Sequence, residues 1–194
     1  MDARATSGPW MEPGREAALL LAAQRGELPA FFELLRAHQR PLWRLCMALT
    51  RHRGEAELLV QEASRRAFKN IRQARVGQPF FPWLVRLVRS FAVAQERRRA
   101  GERRLAVGAM RPDGTAWESG ANGAHELAYE YRVLAAFAEL SVDEQILLAL
   151  RLFERLPYAE ISTTIELSLT ATMHRIATLR ERLEQDPQKT ERAA

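Results

Sequence analysis

Hydrophobic residues recur at alternating steps of three and four along most of the chain, which predicts amphipathic helices rather than strands. One apolar stripe runs past Pro41, which predicts a break or bend in the helix near that residue. A second helix is expected after Gly54. Because both stripes lie close together in sequence, we expect their helices to pack in one bundle. The two stripes are Phe31, Leu35, His38, Leu42, Leu45 and Leu49, then Ala56, Leu59/Val60, Ala63, Ala67 and Ile71.

A third predicted helix opens at Phe81-Pro82, where proline is tolerated in the first turn. It is apolar on nearly all sides and ends at Arg97-Arg98-Arg99, so we expect it at the centre of the bundle. The composition then changes, because residues 101–125 hold five of the ten glycines together with turn signals such as Asp113-Gly114. This stretch predicts a flexible linker that allows two domains to sit apart.

A second helical pattern follows the linker. Ser141 and Glu144 have the spacing of a capping box that starts a helix. Two shorter helical patterns then flank a tight turn at Glu166, and Ser168 is the expected N-cap of the last helix. The predicted fold is all-α, with two small helical bundles joined by a flexible linker and a helix-turn-helix in the second bundle. The predicted segments are a tail (1–15), the first bundle (16–100), the linker (101–125), the second bundle (126–184) and a polar tail (185–194).

Charge adds a candidate partner to this picture. The chain has 194 residues and a formal net charge of +5, with 47% hydrophobic and 27% charged residues, as in an ordinary globular protein. The positive charge is uneven, since Ala94–Arg104 contains five arginines and two glutamates. A solubilising surface is one explanation, but clustering of this kind favours a nucleic-acid partner.

The sequence lacks the residue patterns that several kinds of chemistry require. The single cysteine, Cys46, permits no intrachain disulfide and is expected to be a buried small hydrophobe. The four histidines have no zinc-like spacing, and no nucleophile–base pair or glycine-rich phosphate loop is present. The apolar run Ala17–Ala23 is too short for a membrane span. We therefore expect a cytoplasmic protein that is not an enzyme, has no cofactor or metal, and does not insert into membranes.

Two stretches contain recognisable motifs. In the first stretch they are Gln39–Leu45, the acidic run Glu55–Glu62, and the Phe80-x-x-Trp83-Leu84 helix with its terminal arginines. In the second stretch they are Leu156–Ser162 and His174–Leu183. Together these motifs resemble the sigma-seventy family of bacterial RNA polymerase sigma factors, in particular its extracytoplasmic-function (ECF, group IV) members, in which the last two motifs form the helices of the DNA-reading domain. Both stretches occur in the family's order with a linker between them.

The resemblance implies core RNA polymerase and promoter DNA as partners, and an anti-sigma factor as an inhibitor. The implied core-polymerase contacts are Glu57, Leu58, Gln61 and Glu62. The implied minus-ten contacts are Phe80, Trp83, Arg86, Arg89, Ser90, Arg97 and Arg98. The implied minus-thirty-five contacts in the recognition helix are Ser168, Thr170, Ala171, His174, Arg175, Thr178 and Arg182. Core packing is the alternative role for the two aromatic residues, and for Trp83 it is the favoured one.

The chain departs from the family mainly at contact positions. Leu58 stands where the family has an aspartate, and Glu166 stands at the turn glycine, where a left-handed backbone is expected. Thr178 replaces an arginine, so the recognition helix is expected to bind DNA less tightly than in a typical relative. Two functions remain open. The arginine cluster after Glu96 favours a promoter-reading sigma factor, whereas the altered contacts favour a sigma-like regulator that binds polymerase or an anti-sigma partner without reading promoters.

Overall fold

The computed structural model describes residues 11–105, 137 and 139–184, with side chains described outside 99–105 and 184. Helices, with no strand, make up the regular structure of this part of the chain. The first bundle contains α1 (Pro13–Gln24), α2 (Leu28–Ala37), α3 (Gln39–Thr50), α4 (Arg53–Asn70), a 3-10 turn (Ile71–Gln73) and α5 (Phe80–Leu105). The second bundle contains α6 (Val142–Leu152), α7 (Tyr158–Ile165) and α8 (Leu169–Glu184). The all-α fold class is thus confirmed.

Segment boundaries differ from the sequence-based ones at two places. Helix α1 begins at Pro13 rather than Glu16, because proline is compatible with the first helical turn. Helix α5 extends to Leu105, past the predicted boundary at residue 100. The rest of the predicted linker, the helix expected before Phe137 and the polar tail lie outside the described residues.

Glu16 of α1 links the junction of α2 and α3 to the start of α5. Its Oε2 lies 3.0 Å from Nε2 of His38, the residue at which α2 ends and α3 starts. Its Oε1 accepts a hydrogen bond of 2.7 Å from the backbone N–H of Phe80, the first residue of α5. A carboxylate at a helix N-terminus satisfies an orphan amide and complements the helix dipole. The break expected near Pro41 therefore falls at His38, and this histidine is a packed core residue, as predicted.

The stripe predicted for α4 is confirmed. Of its apolar positions from Ala56 to Ile71, Val60 is half-buried and the other five are buried. Helix α4 packs between α3 and α5. Cys46 of α3 is also fully buried, and burial raises the pKa of its thiol to about 12. A thiol in that state is protonated at neutral pH, which agrees with the predicted role as a small hydrophobe.

The second bundle uses the local signals expected from its sequence. The Ser141–Glu144 capping box is present at the start of α6. Glu166, after α7, has a left-handed backbone with φ of 60°. Ser168 accepts a hydrogen bond of 3.2 Å from the N–H of Ala171 and so caps α8. Gln145 has a role that the sequence did not reveal, because its buried amide donates to the carbonyls of Phe137 and Leu140 at 3.0 Å each.

The two bundles pack directly against each other. Helices α3 and α5 contact α6, and α5 also contacts α7. Leu140 and Val142 line a cleft that they share with Leu49 and Ala92 of the first bundle. The sequence analysis expected a linker that allows the two domains to sit apart. In this structure Leu140 and Val142 are buried, and apolar burial of this kind stabilises the contact between the bundles.

Candidate polymerase and nucleic-acid interface

The outer face of α4 carries the predicted core-polymerase contacts, Glu57, Leu58, Gln61 and Glu62, and is called the docking face below. The first three residues are exposed and Glu62 is partly exposed, so the helix brings all four to one accessible surface. Leu58 is 64% exposed, and a single exposed leucine on a polar helix face is common in folded proteins. This surface combines an apolar side chain with amide and carboxylate groups.

Charges on the docking face are paired within α4 itself. Glu62 accepts hydrogen bonds from Arg65 at 2.8 Å and from Arg66 at 2.6 Å. These two arginines lower the pKa of Glu62 to about 2, with the hydrogen bond from Arg65 as the largest cause. Glu57 pairs with Arg53 at 3.1 Å, four residues earlier. The Glu62 carboxylate is therefore ionised at neutral pH, and ion pairs within α4 hold both carboxylates while the outward surface of the helix stays exposed.

The two aromatic residues predicted to contact the minus-ten strand lie in the core. Phe80 is 1% exposed and Trp83 is 7% exposed. The Phe80 ring packs against His38 and Trp83, with centroid distances of 5.5 and 5.3 Å. A buried ring has no face free for an unpaired base, so the proposed base-stacking role of Phe80 is corrected to core packing. For Trp83, core packing is the role that the sequence analysis favoured.

The polar residues predicted for the minus-ten strand are accessible along α5. Ser90, Arg97 and Arg98 are exposed, and Arg86 is partly exposed. The hydroxyl of Ser90 donates to the carbonyl of Leu87 at 2.8 Å. Because these side chains follow one another along a single helix, they form a basic track of the kind that follows a phosphate backbone.

Arg89 differs from its neighbours because a residue of the second bundle holds it. Its Nε and Nη2 donate to the two carboxylate oxygens of Asp143 at 2.6 and 2.8 Å. This hydrogen-bonded contact raises the pKa of Arg89 and lowers that of Asp143. Arg175 of α8 further lowers the pKa of Asp143, and Glu166 further raises that of Arg89. The junction between the bundles thus contains charges from both predicted DNA-binding surfaces.

A second contact between the bundles was not anticipated from the sequence. Arg44 of α3 donates through Nε and Nη2 to both carboxylate oxygens of Glu154, at 2.9 and 2.7 Å. The Glu154 side chain is 2% exposed, whereas that of Arg44 is 51% exposed. We refer to Arg44–Glu154 and Arg89–Asp143 as the inter-bundle ion pairs. Both are bidentate, a geometry that is stronger and more specific than a single hydrogen bond.

The predicted recognition residues lie on one side of α8. Thr172, Ile176 and Leu179 point inward and are buried, as expected. Ala171 is partly exposed. The other predicted contacts, which are exposed, are Ser168, Thr170, His174, Arg175, Thr178 and Arg182. These seven residues are called the recognition face below.

The recognition face has neighbours that modify it. Arg182 pairs with Glu144 of α6 at 3.2 Å, so one of the two arginines on the recognition face is partly neutralised. Leu169 and Met173 are about half exposed on the same helix, and the sequence analysis did not propose them as contacts. Their only signal in the sequence is an apolar residue type at an outward helical position. Apolar side chains in a major groove can contact thymine methyl groups.

Two kinds of site do not occur in the described part of the chain. No three histidine, cysteine, aspartate or glutamate side chains come together there in a way that would hold a metal ion. Likewise, none of the helices within the described ranges combines the length and apolarity needed to cross a bilayer.

Comparison with known proteins assigns this arrangement to a class. Residues 34–102, about a third of the chain, match the family described as Sigma-70 region 2. The match spans α3 and α4 and most of α5, and so includes the docking face and the basic track. The chain is also 26% identical over 186 residues to the ECF RNA polymerase sigma factor SigE of Mycolicibacterium smegmatis, an alignment that covers 92% of this chain and 71% of that protein.

Two solved structures share the fold. One is CnrH in complex with the cytosolic domain of CnrY, with a TM-score of 0.62 and 18% identity, covering 88% of this chain and 95% of that one. The other is the sigma factor RpoE in complex with the anti-sigma factor NepR from Bartonella quintana, with a TM-score of 0.65 and 18% identity, covering 79% of this chain and 94% of that one. The class of protein is thus an RNA polymerase sigma factor. Residues 34–102 carry the Sigma-70 region 2 domain, and the chain is similar to an extracytoplasmic-function sigma factor, as its motifs indicated.

Proposed function

We propose that this sigma factor binds core RNA polymerase through the docking face of α4 and directs initiation by holding promoter DNA on α5 and α8. The observation that carries the proposal is the Sigma-70 region 2 match at residues 34–102, because it includes both the docking face and the basic track. Residues 16–100 then act as a region-two-like domain, and residues 126–184 as a region-four-like domain with a helix-turn-helix.

Each surface has a distinct task in this proposal. Glu57, Leu58, Gln61 and Glu62 contact the polymerase, where fixed carboxylates and an exposed apolar side chain favour a partner with basic and apolar groups. Arg86, Arg89, Ser90, Arg97 and Arg98 hold the minus-ten strand through phosphate contacts, which supply affinity rather than sequence information. The recognition face enters the major groove at the minus-thirty-five element.

An anti-sigma factor is the proposed inhibitor. The support is the pair of structural neighbours, of which RpoE is in complex with the anti-sigma factor NepR and CnrH with the cytosolic domain of CnrY. We further propose that the protein acts in the cytoplasm, where its polymerase and DNA are found, and that it is not an enzyme and carries no cofactor.

The polymerase contact is tested by measuring the affinity of labelled protein for core RNA polymerase. Gln61→Ala/Glu62→Ala is expected to weaken binding by at least tenfold, which corresponds to about 1.4 kcal/mol. The matched control is Gln73→Ala/Glu27→Ala, which changes the same residue types at exposed positions outside the docking face. Equal affinity of the two double variants would remove the docking face from the interface.

The DNA contact is tested by the salt dependence of promoter binding. Arg97→Ala/Arg98→Ala is expected to weaken binding across sequences and to reduce the slope of log affinity against log salt by about two, because each phosphate contact releases roughly one counterion. An unchanged slope would place these arginines outside the DNA path.

A further inference from the structure

We infer that Leu169 and Met173 of α8 determine sequence choice at the minus-thirty-five element by contacting thymine methyl groups. These two residues are called the apolar edge below. The inference rests on the proposed function, since it takes from there that α8 enters the major groove of promoter DNA. It adds the side chains and the base chemistry on which the choice of sequence depends.

The apolar edge lies in the part of α8 that reaches base edges. Helix α8 begins at Leu169, and in a helix-turn-helix the N-terminal residues of the second helix contact the bases. Leu169 and Met173 are four residues apart, so their side chains are neighbours on one side of the helix. Both are exposed. They are therefore accessible in the turns of α8 where base edges are read.

The two arginines of the recognition face lie on the other side of α8. Arg175 and Arg182 are seven residues apart, so they share one side of the helix. Arg175 follows Met173 by two residues, a spacing that directs the two side chains to opposite sides. Helix α8 therefore presents a basic side and an apolar side to its surroundings.

Carboxylates at the start of α6 interact with the basic side. Arg182 donates from Nη1 to Oε1 of Glu144 at 3.2 Å, and Arg175 contributes to the lowered pKa of Asp143. Arg182 also lies near the C-terminal end of α8, far from the turns that contact bases. A guanidinium reads guanine by donating to both of its major-groove acceptors, which requires a free fork near the base. The basic side is thus suited to phosphate contacts more than to guanine.

The chemistry of the apolar edge selects one base. In the major groove, every base pair presents hydrogen-bonding groups, and thymine adds a methyl group. Leucine and methionine side chains gain free energy when they cover a methyl group, and they lose it when they cover an unpaired polar group. Because methionine is unbranched and flexible, Met173 can follow the position of the methyl group. The apolar edge therefore favours thymine and disfavours guanine.

The test begins with a randomised duplex DNA library, from which core RNA polymerase carrying this protein selects its binding sites. The upstream element shared by the selected duplexes is then resynthesised with deoxyuridine in place of thymidine, which deletes only the methyl groups. We expect about fourfold weaker binding for each contacted methyl group, the effect of exposing one such carbon to water. An upstream element without thymidine, or equal affinity for both forms, would overturn the inference.

A double variant assigns the effect to the apolar edge. Leu169→Ala/Met173→Ala should bind the thymidine form more weakly and should no longer distinguish it from the deoxyuridine form, because alanine is too short to cover the methyl group. A preference for thymidine that survives in this variant would overturn the inference. Thermal unfolding of each variant establishes that it is folded.

The matched control is Leu152→Ala/Phe153→Ala at the end of α6. These residues are 46% and 49% exposed, close to the 47% and 48% of Leu169 and Met173, but they lie outside α8. The control should keep the wild-type ratio of the two affinities. If it loses that ratio as the double variant does, the effect does not belong to the apolar edge and the inference fails.

A variant with changed specificity gives an independent measurement. In a fresh selection, Met173→Arg should enrich guanine where the wild type enriches thymine, because arginine donates to both guanine acceptors. Selection of the wild-type sequence by Met173→Arg would show that Met173 does not face the bases.

Failure of the proposed function has a different outcome from failure of this inference. If polymerase binds the protein but no upstream motif is enriched, promoter reading is contradicted and the inference falls with it. If a motif is enriched but the methyl groups do not affect the affinity, the inference alone is overturned and the proposed function stands.

Discussion

The docking face of α4 and the junction between the bundles are both charged, but they differ in where the partner charges come from. On α4, the carboxylate of Glu62 is paired with arginines three and four residues away. At the junction, Arg89 and Arg44 are paired with carboxylates 54 and 110 residues away. Pairs within one helix orient its charges and leave the surface open to another molecule. Ion pairs between the two bundles engage these charged side chains with each other and cover the surface on which they lie.

This difference separates two kinds of binding surface in one protein. The docking face is already exposed on the first bundle, so the proposed polymerase contact depends on the side chains of that face. Arg89, the junction residue that we propose contacts DNA, already donates to Asp143, so a phosphate has to compete with that carboxylate for the same guanidinium. Variants of the two surfaces should therefore differ in stability, pH dependence and binding.

The largest expected effect is on the free energy of unfolding when Arg44 is removed. Arg44→Gln leaves the buried carboxylate of Glu154 without its bidentate partner, and we expect a loss of about 2 kcal/mol. Arg53→Gln removes an exposed pair within α4 and should cost about 0.3 kcal/mol. Urea unfolding of both variants checks the contrast, and equal losses would mean that the two kinds of pair do not differ.

A gain in stability is expected from Glu166→Gly. The left-handed backbone at Glu166 is unfavourable for a residue with a side chain, so glycine should stabilise the protein by about 1 kcal/mol. Glu166→Gln retains the backbone cost and removes only the charge that acts on Arg89. Thermal unfolding of the two variants separates the effects, and a similar melting temperature for both would show that backbone strain is not what limits this turn.

A smaller effect of about 0.5 kcal/mol is expected for Asp143→Asn at neutral pH, since the pair with Arg89 is partly open to solvent. The pKa of Asp143 is lowered from its ordinary value of 3.8 by Arg89 and then Arg175. Its contribution is therefore present above pH 3.8 and is lost as the pH falls through the lowered pKa. When the free energy of unfolding is measured from pH 6 to pH 2.5, the values for the wild type and for Asp143→Asn should converge at the acid end. A constant difference would contradict the assignment.

The smallest effect on stability is expected for Leu58→Asp, because this side chain is largely exposed and contacts little of the core. Binding to core polymerase should be preserved or strengthened, since the family has an aspartate there. Leu58→Asn serves as the uncharged control in the same affinity measurement. A clear loss with both variants would show that Leu58 makes an apolar contact of its own.

Local sequence signals predicted much of the fold. The buried stripe of α4, the Ser141–Glu144 capping box and the left-handed Glu166 each depend on residues a few positions apart, so periodicity and capping rules suffice. The start of α1 was placed three residues late because Pro13 has the character of a loop residue as well as of a first helical turn. Helix ends are decided by such small differences.

The candidate site was only partly predictable. A motif identifies Phe80 as important, but an aromatic residue that braces the core and one that stacks on a base have the same sequence pattern; only burial separates them. The pairing of Arg44 with Glu154 has no local sequence signal, because 110 residues separate the partners and each is an ordinary charged residue among its own neighbours. Tertiary packing alone brings such residues together.

The most direct test of the central claim is run-off transcription of sheared genomic DNA by core RNA polymerase, with and without this protein, followed by sequencing of the transcripts. A promoter-reading sigma factor predicts new start sites that share motifs near minus ten and minus thirty-five. Absence of new starts, while core binding is demonstrated in the same reaction, would contradict promoter reading and favour a sigma-like regulator that binds polymerase only.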